Sequence, residues 1–198
     1  MKNPFDPGYY GSDELRGFGF KSVGDNVLVS KTCNIPRFDN IEIGDNVRID
    51  AFTSIIAMSG YVRLGSYIHI CIGCTIGARG GVEMEDFSTL SQGAIVLSAS
   101  DDFGGEFMVN STIPARFTNV KTAPVIIKRH SGLGAGSIAL PGVTIGEGSA
   151  VGAQSLVTKS LEPWGVYFGC PVKRLKNRSR ALLTHEAALL ERGTVRAA

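Results

Sequence analysis

From Val23 to Val157 an apolar residue returns at every sixth position in runs of three: Val23, Val29, Ile35; Ile43, Ile49, Ile55; Leu64, Ile70, Ile76; Met84, Leu90, Val96; Ile127, Leu133, Ala139; and Ile145, Val151, Val157. All eighteen positions are apolar, whereas a chain that is 43 % hydrophobic would fill roughly eight of them by chance. A period of six matches neither the helix repeat nor the simple alternation of a lone strand, so the unit is a short strand plus a turn. Three units close one triangular coil. Two residues before the apolar position stands a small or β-branched residue, as at Cys33, Val47, Thr53, Cys74, Ser88, Ala94, Ser131, Ser137, Val143, Ser149 and Ser155. Alternation along a strand turns these inward too, where they fill the corners of a narrow prism.

The pattern therefore predicts an all-β fold, a parallel β-helix of about six triangular coils and roughly 29 Å tall. Its open ends need caps. Ser12, followed by Asp13, Glu14 and Leu15, reads as the N-cap of a short helix over the first coil. Two or three residues are inserted between the early coils, as at Tyr61 to Arg63. A much longer insertion, 101–123, carries Asp101, Asp102, Glu106, Arg116 and Phe117; an excursion of this length from a compact domain is usually functional. After Val157 come Pro163, Gly165 and Pro171, a basic stretch from Lys173 to Arg180, and helical spacing from Ala181 to Glu191, with the last residues expected to fray. The expected division is a cap segment at 1–22, the β-helix at 23–172 and a basic segment with a helix at 173–198.

Composition adds three points. Glycine is enriched, 25 of 198 residues against a usual share of about 7 %, and it often follows the repeat position, as at Gly24, Gly44, Gly65, Gly134 and Gly152. Net charge is only +2, which gives no overall reason to expect nucleic acid or an anionic membrane as partner. No apolar run is long enough to span a bilayer and Lys2 to Gly11 lacks a signal-peptide core, so the expected location is the cytoplasm. The four cysteines are expected as reduced thiols. Cys71 and Cys74 form a C-x-x-C pair with no second pair to complete a zinc site, and Cys33 and Cys74 are explained as small core residues.

The stretch IALPGVTIGEGSAVGAQSLVTKSLEPWGVYFGCPVKRL, Ile138 to Leu175, resembles the hexapeptide-repeat acyltransferases, a family that includes galactoside, maltose, serine and xenobiotic acetyltransferases. More narrowly, NPFDPGYY, DELRGFGFKSVGDNV, YIHI and SASDDFGGEF resemble enzymes that acetylate nucleotide-linked amino-deoxy sugars, such as the dTDP-4-amino-4,6-dideoxyglucose N-acetyltransferases of O-antigen synthesis. The resemblance implies a left-handed prism, a homotrimer with active sites between subunits, acetyl-CoA as co-substrate and no metal. It implies further that the pantetheine arm lies beside Ala135 and Ala153, and that the adenosine phosphates lie near Thr158, Lys159, Lys173 and Lys176. Flexible ammonium groups suit such phosphates.

Acyl transfer from a thioester needs a nucleophile relieved of its proton and donors for the oxyanion. Many relatives use a histidine just after an LS-x-x-x segment, but here Leu97 to Asp101 is followed by Asp102. His69, between the inward Ile68 and Ile70, faces outward and aligns with a position that contacts the sugar in galactoside enzymes. It is expected to act as base or acceptor ligand, with Asp101 or Asp102 orienting the imidazole or binding the sugar ammonium. His130, on a corner, and Tyr10, Arg16 and Arg116 are further candidates for substrate binding. Backbone amides around Gly132 to Gly136 are candidates for the oxyanion. An amine of pKa about 8 is partly neutral at cell pH, which fits N-acylation to a site lacking the usual histidine. Alternatives are a sugar O-acetyltransferase, a carbonic-anhydrase type of β-helix with zinc between subunits, and a non-catalytic scaffold.

Overall fold

The structure is a computed structural model and describes residues 5–196. The expectations that reach residues 1–4 and 197–198, including the start of the NPFDPGYY segment and the fraying of the last residues, lie outside the described residues.

The six-residue beat winds into a parallel β-helix. Each coil gives one strand in turn to three faces. The first face holds six strands, from Ser22–Val23 to Thr144–Ile145; the third holds six, from Asn34–Arg37 to Leu156–Val157. The second face has nine, because it extends beyond the coils at both ends. Six coils are complete and a seventh begins, where Leu161 bridges to Ile145 and Gly165–Gly169 pairs with Ala150–Val151. Register is fixed by the repeat itself: Ile70 lies between Ile49 and Leu90, and Leu133 between Leu90 and Val151.

Of the eighteen repeat positions, sixteen are buried, and the two that are only partly so, Val23 and Ile35, lie in the first coil. The small residues two positions earlier are buried as well, Cys33 in the first coil excepted. Their hydroxyls are satisfied by the backbone of neighbouring coils: Thr53 Oγ1 donates to Cys71 O at 3.1 Å and Ser137 Oγ to Gly152 O at 2.8 Å.

Helix α1, Ser12–Phe18, covers the first coil with Leu15, which is 1 % exposed. Ser12 is not its N-cap. Gly11 takes that place, with its N–H donating to Glu14 Oε2 at 3.0 Å, while Ser12 Oγ accepts from Val27 N–H at 2.9 Å. The reason is a strand, Tyr9–Gly11, that pairs antiparallel with Leu28–Ser30 and runs directly into the helix.

The long insertion is also more ordered than its sequence suggests. Ala99–Ser100 and Lys121–Thr122 pair antiparallel at its base, and a 3-10 turn spans Ala115–Phe117. At the other end of the column the basic stretch is a strand, Val172–Asn177, antiparallel to Gly165–Gly169. Helix α2, Leu182–Arg196, follows. No described helix is long and apolar enough to cross a membrane.

Candidate active site

Three edges join the faces, and the candidate residues divide among them. On the edge between the second and third faces, the residue after each buried aliphatic turns outward. Register therefore stacks Asp50, Cys71, Ser91, Gly134 and Gly152 one coil apart. Backbone bonds hold the stack, with Cys71 N–H donating to Leu90 O and Ser91 N–H to Leu133 O, both at 2.9 Å. The first three rungs carry polar or nucleophilic groups. The last two are bare, and Ala135 and Ala153 follow them. Gly134 is required by the stacking alone, since a Cβ there would meet Ala153 N at 2.5 Å.

His69 stands on the second face beside this edge, two residues before Cys71, so both side chains point outward. Its Nε2 lies 2.7 Å from Asp50 Oδ2, and its Nδ1 faces Cys71 Sγ at 3.7 Å. Asp50 Oδ1 accepts from Arg48 Nε at 2.7 Å and from Tyr9 OH at 2.8 Å, and Arg48 Nη2 donates to Tyr9 OH at 2.9 Å. Burial raises the Asp50 carboxyl, but the hydrogen bonds from His69, Arg48 and Tyr9 outweigh it and hold the group below the ordinary aspartate value. The Cys71 thiol moves the other way, pushed up by burial and by the Asp50 charge. Tyr9 is also raised, by burial and then by its bond to Asp50.

Within one chain, then, the carboxylate that orients His69 is Asp50, which sequence reading did not single out. Asp101 and Asp102 leave the column at the edge between the third and first faces, the vertex opposite the second face that carries His69. The two differ from each other. Asp102 is 9 % exposed and its Oδ1 accepts from Gly104 N–H at 2.9 Å, a turn contact within the loop. Asp101 lines a cavity of about 280 Å³ with Arg79, Ser100 and Asn110.

His130 is held differently. It is 8 % exposed, stacked on Phe87 at 5.1 Å, with Nε2 at 2.7 Å from Glu186 Oε2 of α2. Burial, and then Arg129, push its proton affinity down. Together with Thr89, Ser91 and Ala150 it borders a shallow cavity of about 230 Å³ on the second face.

The remaining candidates lie apart. Arg16 on α1 is engaged with Asp25 Oδ1 at 2.5 Å and with the carbonyls of Val23 and Gly24. Tyr10 packs edge-on against Phe18 at 5.0 Å, so it is Tyr9 of that pair that reaches the His69 group. Arg116 is exposed on the loop over Phe117. Thr158 and Lys159 are exposed on the same edge as the long loop, and Lys173 and Lys176 on the terminal strand. Ala135 and Ala153 are on a different edge from Thr158 and Lys159, so no single chain gathers the expected cofactor residues. The amides of Gly132, Gly134 and Gly136 all donate within the ladder, to Ser149 O, Val151 O and Gln92 O, which leaves them unavailable to an oxyanion. The Ser91 hydroxyl, by contrast, makes no hydrogen bond among the described residues and stands mid-stack. No group of three or more His, Cys, Asp or Glu among the described residues is arranged to hold a metal ion.

No family model matches the sequence. The chain is 37 % identical over 179 residues to the dTDP-4-amino-4,6-dideoxy-D-glucose acyltransferase of Escherichia coli, covering 90 % of this chain and 93 % of that protein. Among solved structures it is 44 % identical to AntD, an N-acyltransferase from Bacillus cereus in complex with dTDP and 3-hydroxybutyryl-CoA, with a TM-score of 0.90 and coverage of 96 % of this chain and 100 % of that one. A serine-to-cysteine variant of AntD in complex with dTDP-4-amino-4,6-dideoxyglucose and coenzyme A matches at a TM-score of 0.89 and 44 % identity, over 94 % and 98 % of the two chains. Other AntD structures carry substitutions of an aspartate ten residues beyond that serine.

Proposed function

The chain belongs to the hexapeptide-repeat acyltransferases that include the E. coli dTDP-4-amino-4,6-dideoxyglucose acyltransferase and AntD, and from this premise we propose that it transfers an acetyl group from acetyl-CoA to the amino group of a dTDP-linked 4-amino-deoxy sugar. The observation that carries the site assignment is a spacing. Ser91 and Asp101 are the only serine and aspartate in the sequence with the ten-residue separation of the altered AntD pair.

Ser91 and Asp101 leave the column at different edges. A groove between two columns, with the loop edge of one against the second–third edge of the next, unites them. The same groove unites Ala135 and Ala153 with Thr158 and Lys159. An interface of two unlike surfaces closes into a ring, and three columns make the smallest ring above a pair. We therefore read the working unit as a homotrimer with three sites between subunits. We read the reaction as cytoplasmic and its product as suited to cell-surface polysaccharide such as O-antigen.

In the proposed reaction the amine attacks the thioester carbonyl and His69, oriented by Asp50, takes the proton directly or through water. Asp101 from the neighbouring chain binds the sugar ammonium and aligns it. The free Ser91 hydroxyl donates to the carbonyl oxygen as charge develops there. The test is mass spectrometry of products from acetyl-CoA, 3-hydroxybutyryl-CoA and a panel of dTDP-linked amino and hydroxy sugars; product only on hydroxyl acceptors sinks the N-acyl reading. Mixing inactive Ser91→Ala and Asp101→Asn chains and re-forming oligomers restores activity if each site draws on two chains. A mixture as inactive as its parents rejects the shared site.

A further inference from the structure

The proposed reaction leaves one nucleophile unused. Cys71 is not a core residue like Cys74, whose sulfur is fully buried and donates to Ser91 O at 3.2 Å. Its sulfur points out from the edge, one coil from Ser91 on one side and from Asp50 on the other. The imidazole between it and a carboxylate has one nitrogen at 3.7 Å from Sγ and the other at 2.7 Å from Asp50 Oδ2. With Nε2–H donating to Asp50, the Nδ1 lone pair is left facing the thiol. Nucleophile, base and orienting acid thus follow in contact, the arrangement by which a thiol or hydroxyl is activated for covalent acyl transfer.

We propose that Cys71 is a second acyl acceptor of this site: when no amino sugar is bound, its thiol takes the acyl group from acyl-CoA and holds it as a thioester. The inference rests on the acyl-CoA reading above. Asp50 and the thiol's surroundings keep Cys71 protonated at rest, so the proton leaves during attack. In the step, Sγ bonds to the thioester carbonyl carbon as its proton passes to His69 Nδ1. The carbon–sulfur bond to CoA breaks, and the departing thiolate takes that proton to give free CoA. One thioester replaces another, so no oxidant or further reactant is needed. An amine or water then attacks acyl-Cys71, and the sulfur leaves and is reprotonated by His69.

The experiment is to incubate the full chain with acetyl-CoA alone, quench in acid and map acetylated peptides by mass spectrometry. The expected result is acetylation of the Cys71 peptide, released by neutral hydroxylamine and discharged within the dead time by adding the amino sugar. Cys71→Ser abolishes the label, His69→Asn slows it by about 10²-fold or more as expected for loss of the base, and Asp101→Asn keeps it while losing transfer to sugar. Should the Cys71→Ser chain misfold by circular dichroism, wild-type labelling and discharge by the sugar decide alone. Cys170, exposed on the terminal turn, is the internal control: equal labelling of Cys170 means unassisted chemistry and overturns the inference. A sample that acylates sugar with no label on Cys71 also overturns it and leaves the proposed function standing. A sample that neither binds acetyl-CoA nor acylates sugar removes the proposed function instead.

Discussion

Two histidine–carboxylate pairs close at the same distance, 2.7 Å, and differ in almost everything else. His69 opens the short strand His69–Ile70, is 47 % exposed at its side chain, and holds Asp50 from the neighbouring coil. His130 occupies a corner at φ 58°, in the file of positive-φ residues Asn26, Asn46, Tyr67 and Phe87 along the edge between the first and second faces. Its ring continues the stack of Tyr67 on Phe87, whose centroids are 4.7 Å apart. Its carboxylate belongs to α2, and Arg178 ties the same corner down through His130 O at 2.7 Å. The first pair keeps a basic nitrogen turned toward solvent and a thiol. The second spends its nitrogen fastening a helix. A histidine paired with an acid is thus a weak sign of catalysis until its burial and the loyalty of its free nitrogen are known.

The contrast makes graded predictions. His69→Asn should lower kcat by about 10²–10⁴ with the thermal midpoint almost unchanged, because an exposed face loses a base and little packing; steady-state kinetics at wild-type rate would erase the distinction between the pairs. Ser91→Ala follows, with kcat down by about 10²–10³ for one lost oxyanion donor and the KM for acetyl-CoA retained. His130→Ala should do the reverse of His69→Asn. It removes one of the two partners of Glu186, leaving only Arg129, and costs about 1.5–3 kcal/mol by denaturant unfolding, with kcat close to wild type in the folded enzyme. The smallest effect is electrostatic. Because the Asp50 carboxyl is held below its unfolded value, its contribution is present at neutral pH and fades as pH falls through the lowered value. Wild type should exceed Asp50→Asn by no more than about 3 °C at pH 7, with the gap closing as the pH is taken below the ordinary aspartate range; a gap that widens in acid would mean the aspartate is stabilised in its protonated form.

The sequence was most readable where one local rule repeats. The buried file from Ile43 to Val157 and its small companions needed only counting by six, restarted after each corner insertion. Pairings made at long range were hidden. Gly11 caps α1 because Tyr9–Gly11 lies along Leu28–Ser30, and no residue near Ser12 announces that. Val172–Asn177 carries no inward and outward alternation, since all but Val172 of its side chains are exposed, so it looked like a basic tail. Asp50 was legible in principle. It follows Ile49 as Cys71 follows Ile70 and Ser91 follows Leu90, and laying the coils in register already stacks the three. What the sequence did not carry was the choice among carboxylates, because Asp101 and Asp102 drew attention by motif while Asp50 had only its register.

The second face finishes at each end with a strand that runs against the others, Tyr9–Gly11 below and Val172–Asn177 above. A stack of like-directed rungs exposes the same hydrogen-bonding template at top and bottom, and a second molecule could dock there and continue the winding without limit. Reversed terminal strands break that match on one side of the triangle. They act as end-stops against filament growth and leave the sides of the column, where the proposed substrate grooves lie, as the faces open to the proposed assembly.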